Sequence, residues 1–154
     1  MTPRRVAWAL LLLLAVQLHT LRSLGDRVCD RRPLPVVPRL SVALRLEAPT
    51  LHRRDSAAAS AVLANPGTRK VEVRDVAAVL LAPGTHDPVT WAASEGESVG
   101  LRSRSAARLQ LTVHTTRCSD GSGPLAPGFY DLALLLRADG RWGVVGQQAV
   151  VLSP

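Results

Sequence analysis

Ala107-Arg108-Leu109-Gln110-Leu111-Thr112-Val113-His114 is the stretch that decides the fold. Its apolar side chains fall on odd positions and its polar ones on even positions. That period of two places alternate residues on opposite faces of a strand. The stretch therefore predicts a strand with one buried face and one wet face.

The same pattern recurs on either side of it. Leu40, Val42, Leu44 and Leu46 alternate with Ser41, Ala43, Arg45 and Glu47. Ala57 to Ala64, alanine-rich and ambiguous by propensity, ends in the turn signal Asn65-Pro66-Gly67 and is read as a strand. Lys70-Val71-Glu72-Val73-Arg74 alternates cleanly and continues through Val76, Val79 and Leu81 with a change of phase, which predicts a bulge near Asp75. Pro83-Gly84 ends that run. A shorter strand is expected around Val89 to Ala92, before a loop through Glu95-Gly96-Glu97-Ser98. Tyr130, Leu132, Leu134 and Leu136 share one face, and Ala138-Asp139-Gly140 turns the chain into a last strand from Trp142 to Leu152. Seven short strands with turn chemistry between them predict an all-β, seven-stranded antiparallel β-sandwich of two sheets over residues 40–154. No repeat of solenoid period is present.

The N-terminus reads differently. Arg4 and Arg5 precede an unbroken apolar run of eleven residues, Val6 to Val16. A membrane-crossing helix needs ~20 mostly apolar residues, whereas the core of a secretory signal is shorter. Residues 1–25 are thus expected to form a hydrophobic targeting helix. It acts either as a signal peptide cleaved before Asp26, with Ser23 and Gly25 as the small residues, or as an uncleaved anchor reaching about Leu24. Cys29 follows Asp26-Arg27-Val28 and offers no lipid-attachment box. Residues 26–39 carry Pro33, Pro35 and Pro38 among Arg27, Arg31, Arg32 and Arg39, and predict a semi-rigid stalk.

Composition fits one exported domain. Of 154 residues 47% are hydrophobic and 20% charged, which excludes a disordered acidic tail. The net charge of +7 invites a nucleic-acid or anionic-membrane reading. Its distribution argues against that. Arg4, Arg5 and Arg22 belong to the targeting segment, with the first two on the cytoplasmic side as the positive-inside rule expects. From residue 40 onward twelve basic residues face ten acidic ones. No nucleic-acid partner is expected.

Four groups of residues invite a chemical reading. Gly96-Glu97-Ser98-Val99-Gly100 matches the nucleophile elbow of serine hydrolases. No helix pattern follows, and no acid lies between Ser98 and the last histidine, His114, so a chance loop match is expected. His114 and Cys118 are four apart, which on a strand is ~13 Å, too far to share a metal. Ser119 to Gly123 is a flexible loop. With one methionine and four scattered histidines, no metal or other cofactor is expected. Cys29 and Cys118 are the only cysteines. In an oxidising compartment their parity favours a disulfide, with two free thiols or an intermolecular bridge as the alternatives.

Leu125-Ala126-Pro127-Gly128-Phe129-Tyr130-Asp131-Leu132 resembles the L-x-P-G-x-Y-x-L segment of bacterial extracytoplasmic immunoglobulin-like and fibronectin-like sandwiches. Asn65-Pro66-Gly67 resembles the early hairpin of the same modules. The resemblance implies a bacterial source, actinobacteria among the candidates, and a structural tyrosine corner built on Tyr130, Pro127 and Gly128. In this corner the hydroxyl ties the strand to the loop before it. The spacing of Cys29, Trp91, Cys118 and Tyr130 departs from that of true immunoglobulin domains. Architecture is implied, not activity. The expectation is a non-catalytic module, exported or anchored to the membrane through its N-terminus, serving a protein partner at the cell envelope. A protease-inhibitor-like domain is the alternative, since some bacterial sandwiches with such segments block proteases through loops. Thr85 to Glu97 and Cys118 to Leu125 would be those loops. A serine hydrolase using Ser98 is a distant third.

Overall fold

The computed structural model describes residues 29, 33–48, 50–53, 56–90, 92, 98–118 and 123–154. The targeting segment 1–25 and its expected helix lie outside the described residues. Two sheets face each other. One has three strands in the order β1 (Ser41–Leu46), β3 (Ser56–Asn65), β6 (Ser105–His114), antiparallel throughout. The other has five, in the order β2 (Leu51–His52), β8 (Arg141–Ser153), β7 (Gly128–Ala138), β4 (Val71–Leu81), β5 (Val99–Leu101).

The deciding stretch behaves as its alternation requires. Leu109, Leu111 and Val113 of β6 are buried with Ala59, Ala61 and Leu63 of β3, while Arg108 and Gln110 face out. Opposite them stand Val73, Ala78 and Leu80 of β4 and Leu132, Leu134 and Leu136 of β7, completing the core between the sheets.

The architecture differs from the expectation in its strand count. There are eight strands rather than seven, and the larger sheet is mixed because β2 pairs parallel with β8. β2 and β5 have two and three residues, too short to show a period. In the segment Val89 to Ala92, expected as a strand, the described residues Val89, Thr90 and Ala92 form none. The connection after β4 folds back on the outer half of that strand through Val89 N–H to Leu80 O, Ala82 N–H to Asp87 O and an isolated bridge at Pro88. Pro88 lacks a donor and cannot carry a ladder further. The Leu80 N–H is instead met by the hydroxyl of buried Thr90 at 2.9 Å.

Two irregularities follow local chemistry. The bulge near Asp75 is present: the β4–β7 register shifts between Arg74 and Ala77, and Asp75 sits at φ 52° with its carboxylate 2.8 Å from Arg137. β8 bulges opposite Leu132–Leu134, where Gly146 takes φ 67° and lets Val42 of β1 pack against its bare Cα. Asp139-Gly140, both at positive φ, make the two-residue hairpin between β7 and β8.

The predicted stalk also differs. Its described part, residues 33–39, lies against the sandwich instead of standing off it. Val37 N–H donates to Val144 O at 3.0 Å and Val144 N–H to Pro35 O at 2.8 Å, so residues 35–37 add a short parallel edge to β8. Leu34 is buried to 1% exposure in a second cluster with Ala77, Val79, Leu81, Ala133, Leu135 and Val144, on the face of the five-stranded sheet away from the main core. Apolar residues on the outward face of β4 and β7 need such a cover, and Leu34 supplies part of it.

Candidate functional site

Four turns meet at one end of the sandwich: residues 38–39, the β3–β4 loop 66–70, the β5–β6 turn 102–104, and Asp139-Gly140. They are joined through the backbone by Arg104 N–H to Gly67 O and Asp139 N–H to Glu72 O.

Asn65 fixes the centre of this end. Its side chain is 1% exposed, and its amide shares its two hydrogens among Arg69 O at 2.7 Å, Arg102 O at 3.0 Å and Leu101 O at 3.2 Å. Its Oδ1 accepts from Gly67 N–H at 3.0 Å. One buried side chain thereby staples the β3–β4 loop to the β5–β6 turn. The Asn-Pro-Gly signal marks a turn in the sequence, but its long-range contacts to residues 101 and 102 carry no local signature.

Onto this rigid frame the chain mounts Arg39, Arg69, Lys70, Arg102, Arg104 and Arg141, all exposed. Asp139 is the one carboxylate in these turns, and its Oδ1 accepts from Glu72 N–H at 3.2 Å. Among the described residues the one ion pair is Arg137–Asp75, on the strands, so none of the six cations is neutralised by contact. Residues 39–154 carry thirteen basic and ten acidic residues. Six against one at this end therefore leaves seven against nine elsewhere. The near-neutrality of the sandwich conceals a cluster of basic side chains at this end, with Glu72 of β4 also beside Asp139.

The surface between these residues is concave. A groove of 720 Å³ runs between Arg39, Arg69, Lys70 and Asp139. It shares Pro38, Arg39, Val71 and Asp139 with a neighbouring groove of 610 Å³, whose wall includes Val36, Arg141 and Trp142. Val36 is 51% exposed. In the parallel pairing residues 35 and 37 bond to Val144, which turns the N–H and C=O of Val36 away from β8.

Cys29, Cys118 and Tyr130, singled out from sequence, lie at the other end. Cys29 and Cys118 form a disulfide, with Cα atoms 5.4 Å apart across 89 residues. Cys118 N–H donates to Val89 O, and Thr90 bridges Arg117, so the covalent link reaches the connection after β4 as well. Thus the described chain enters opposite the basic grooves. Tyr130 Oη donates to Ala126 O at 2.8 Å, just before Pro127 and Gly128 where β7 starts. Ser98 is exposed and leads directly into β5, which pairs with β4, so the strand-to-helix elbow a hydrolase needs is not formed there. Cys118 is occupied by the disulfide and is not a ligand beside His114. Among the described residues no group of three or more His, Cys, Asp and Glu is placed to hold a metal ion. Two of the proposed inhibitory loops fall partly outside the described residues, at 91, 93–97 and 119–122.

No family model and no curated protein matches the chain. Some solved structures superpose on part of it at low scores. The CARDB domain of a Pyrococcus furiosus protein, crystallised in complex with di-metal ions, superposes at TM-score 0.41 and 13% identity over 78% of this chain and 93% of the domain. A β-glucosidase from Erythrobacter marinus gives 0.44 and 16% over 74% of this chain but 15% of the enzyme. An alkylpurine DNA glycosylase from Pseudomonas fluorescens gives 0.43 and 14% over 75% of this chain and 31% of the enzyme.

Proposed function

We propose that this chain is a non-catalytic accessory module, exported or held at the membrane by residues 1–25, that engages a protein partner through its basic end. The observation that carries this is the placement of exposed Arg39, Arg69, Lys70 and Arg141 along two adjoining grooves braced by Asn65, with Arg102 and Arg104 on the turn beside them. Exposed like charges in one place repel each other and do nothing for the fold, so a use in recognition accounts for them best. The Cys29–Cys118 disulfide accords with an oxidising, extracytoplasmic setting.

A photo-crosslinking residue at Arg69, in cells exporting the full chain, tests the reading. A discrete protein adduct is expected there and none from the same probe at Arg45, on the outer face of β1. Adducts at both positions, or at neither, would refute it. A second reading, loop-based protease inhibition, is favoured by the stapling of the connections after β4 and β6 through Cys118. Inhibition of a protease panel that disappears when Cys29 and Cys118 are replaced would move the function to that end.

A further inference from the structure

We infer that the basic end takes an extended, acidic segment of its partner that also carries apolar side chains. This rests on the proposed docking role and names the chemistry of what docks.

Three features select that chemistry. Arg39, Arg69 and Lys70 line the larger groove, and the guanidinium forks of the first two match carboxylates bidentately. The neighbouring groove sets exposed Val36 and Trp142 beside Arg39 and Arg141, so an aliphatic side chain finds an apolar wall next to the charges. Between them the outward N–H and C=O of Val36 form a donor and acceptor pair. An extended peptide meets both groups by adding to the sheet edge, as strand-adding ligands do. A phosphate polymer has acceptors only and would leave the carbonyl unmet.

Where residues 1–25 remain as an anchor, the position of the site also disfavours the bilayer as its anion source. The chain enters through Cys29 at the opposite end, so an anchored molecule turns its basic end away from the membrane. The class of ligand is therefore a soluble or surface-displayed protein segment, with carboxylates spaced along an extended backbone and leucine-like residues between them.

The full chain in detergent micelles is titrated against a labelled peptide of about ten residues alternating glutamate and leucine, read by fluorescence anisotropy. Binding is expected at low salt and should weaken at least tenfold when Arg69 and Lys70 are both changed to glutamate. The same change of charge at Arg45 and Arg108, on the outer face of the three-stranded sheet, is expected to alter affinity less than threefold. Val36→Pro removes one outward N–H from an edge that already tolerates proline, and is expected to weaken the peptide severalfold without altering thermal stability. Polyglutamate and polyphosphate of equal charge are competitors. Competition by either at the concentration of the peptide itself overturns the inference, as does equal loss in the two charge-reversed pairs. If the Arg69 crosslink appears while the peptide fails to bind, the docking role stands and the acidic-segment assignment falls.

Discussion

Replacing Asn65 with alanine removes a staple made of four hydrogen bonds. The contact with Leu101 O is fully buried, whereas those with Arg69 O, Arg102 O and Gly67 N–H are partly shielded. A net intramolecular hydrogen bond is worth about 1 kcal/mol, and a buried group left unmet costs more, while water can replace some of the shielded ones. Together these give a loss of roughly 3 kcal/mol, or a fall of roughly 10 °C in Tm for a domain of this size. Asn65→Asp is expected to be worse than alanine, since it keeps the acceptor for Gly67 but turns an anionic oxygen towards three carbonyls. Urea denaturation and thermal melts of both variants read the effect. A fall in Tm under about 3 °C for Asn65→Ala, or an aspartate variant as stable as alanine, would refute the staple.

Four further outcomes follow from the geometry. Cys29→Ser with Cys118→Ser should lower stability by ~4.5 kcal/mol in the chain-entropy treatment of a loop this long, and the denatured, unreduced wild type should show no free thiol. Leu34→Ala should cost about 2 to 4 kcal/mol by urea denaturation, where a solvated stalk residue would cost nothing. Gly143→Ala would place a Cβ 2.6 Å from Val37 and 2.7 Å from Pro35 O, so it should loosen residues 35–37 and speed amide exchange at Val37 and Val144. Ser98→Ala should leave any ester or peptide hydrolysis by the purified chain unchanged.

The strands that announce themselves in the sequence are those with one wet face. β6 and β1 alternate because their outer face meets solvent. The larger sheet is harder to read for a physical reason. Leu132 to Leu136 are all buried because residues 33–37 and the connection after β4 cover the outer face, and burial on both sides erases the period of two. The stalk reading failed for the same cause. Three prolines mark extended backbone, which residues 35–37 adopt beside β8, but nothing local reveals that Leu34 docks on a surface made by strands forty and a hundred residues away.

The basic end was hidden by summation. Arg39, Arg69, Lys70, Arg102, Arg104 and Arg141 are dispersed through the sequence, and only the meeting of four turns gathers them. The disulfide was readable from parity and compartment, while Asn65 was readable as a turn residue and not as a long-range staple.

The Cys29–Cys118 bond also settles how the domain bears tension. Without it, a pull from the N-terminal side would peel residues 33–37 from β8, breaking its two hydrogen bonds to Val144 one after the other, as a zipper opens. With it, force enters at Cys118, between β6 and β7. Towards a load held at the far end it then travels along two strands of ten and eleven residues, whose ladders must shear all at once. The bond turns a weak leading edge into a mechanical bypass.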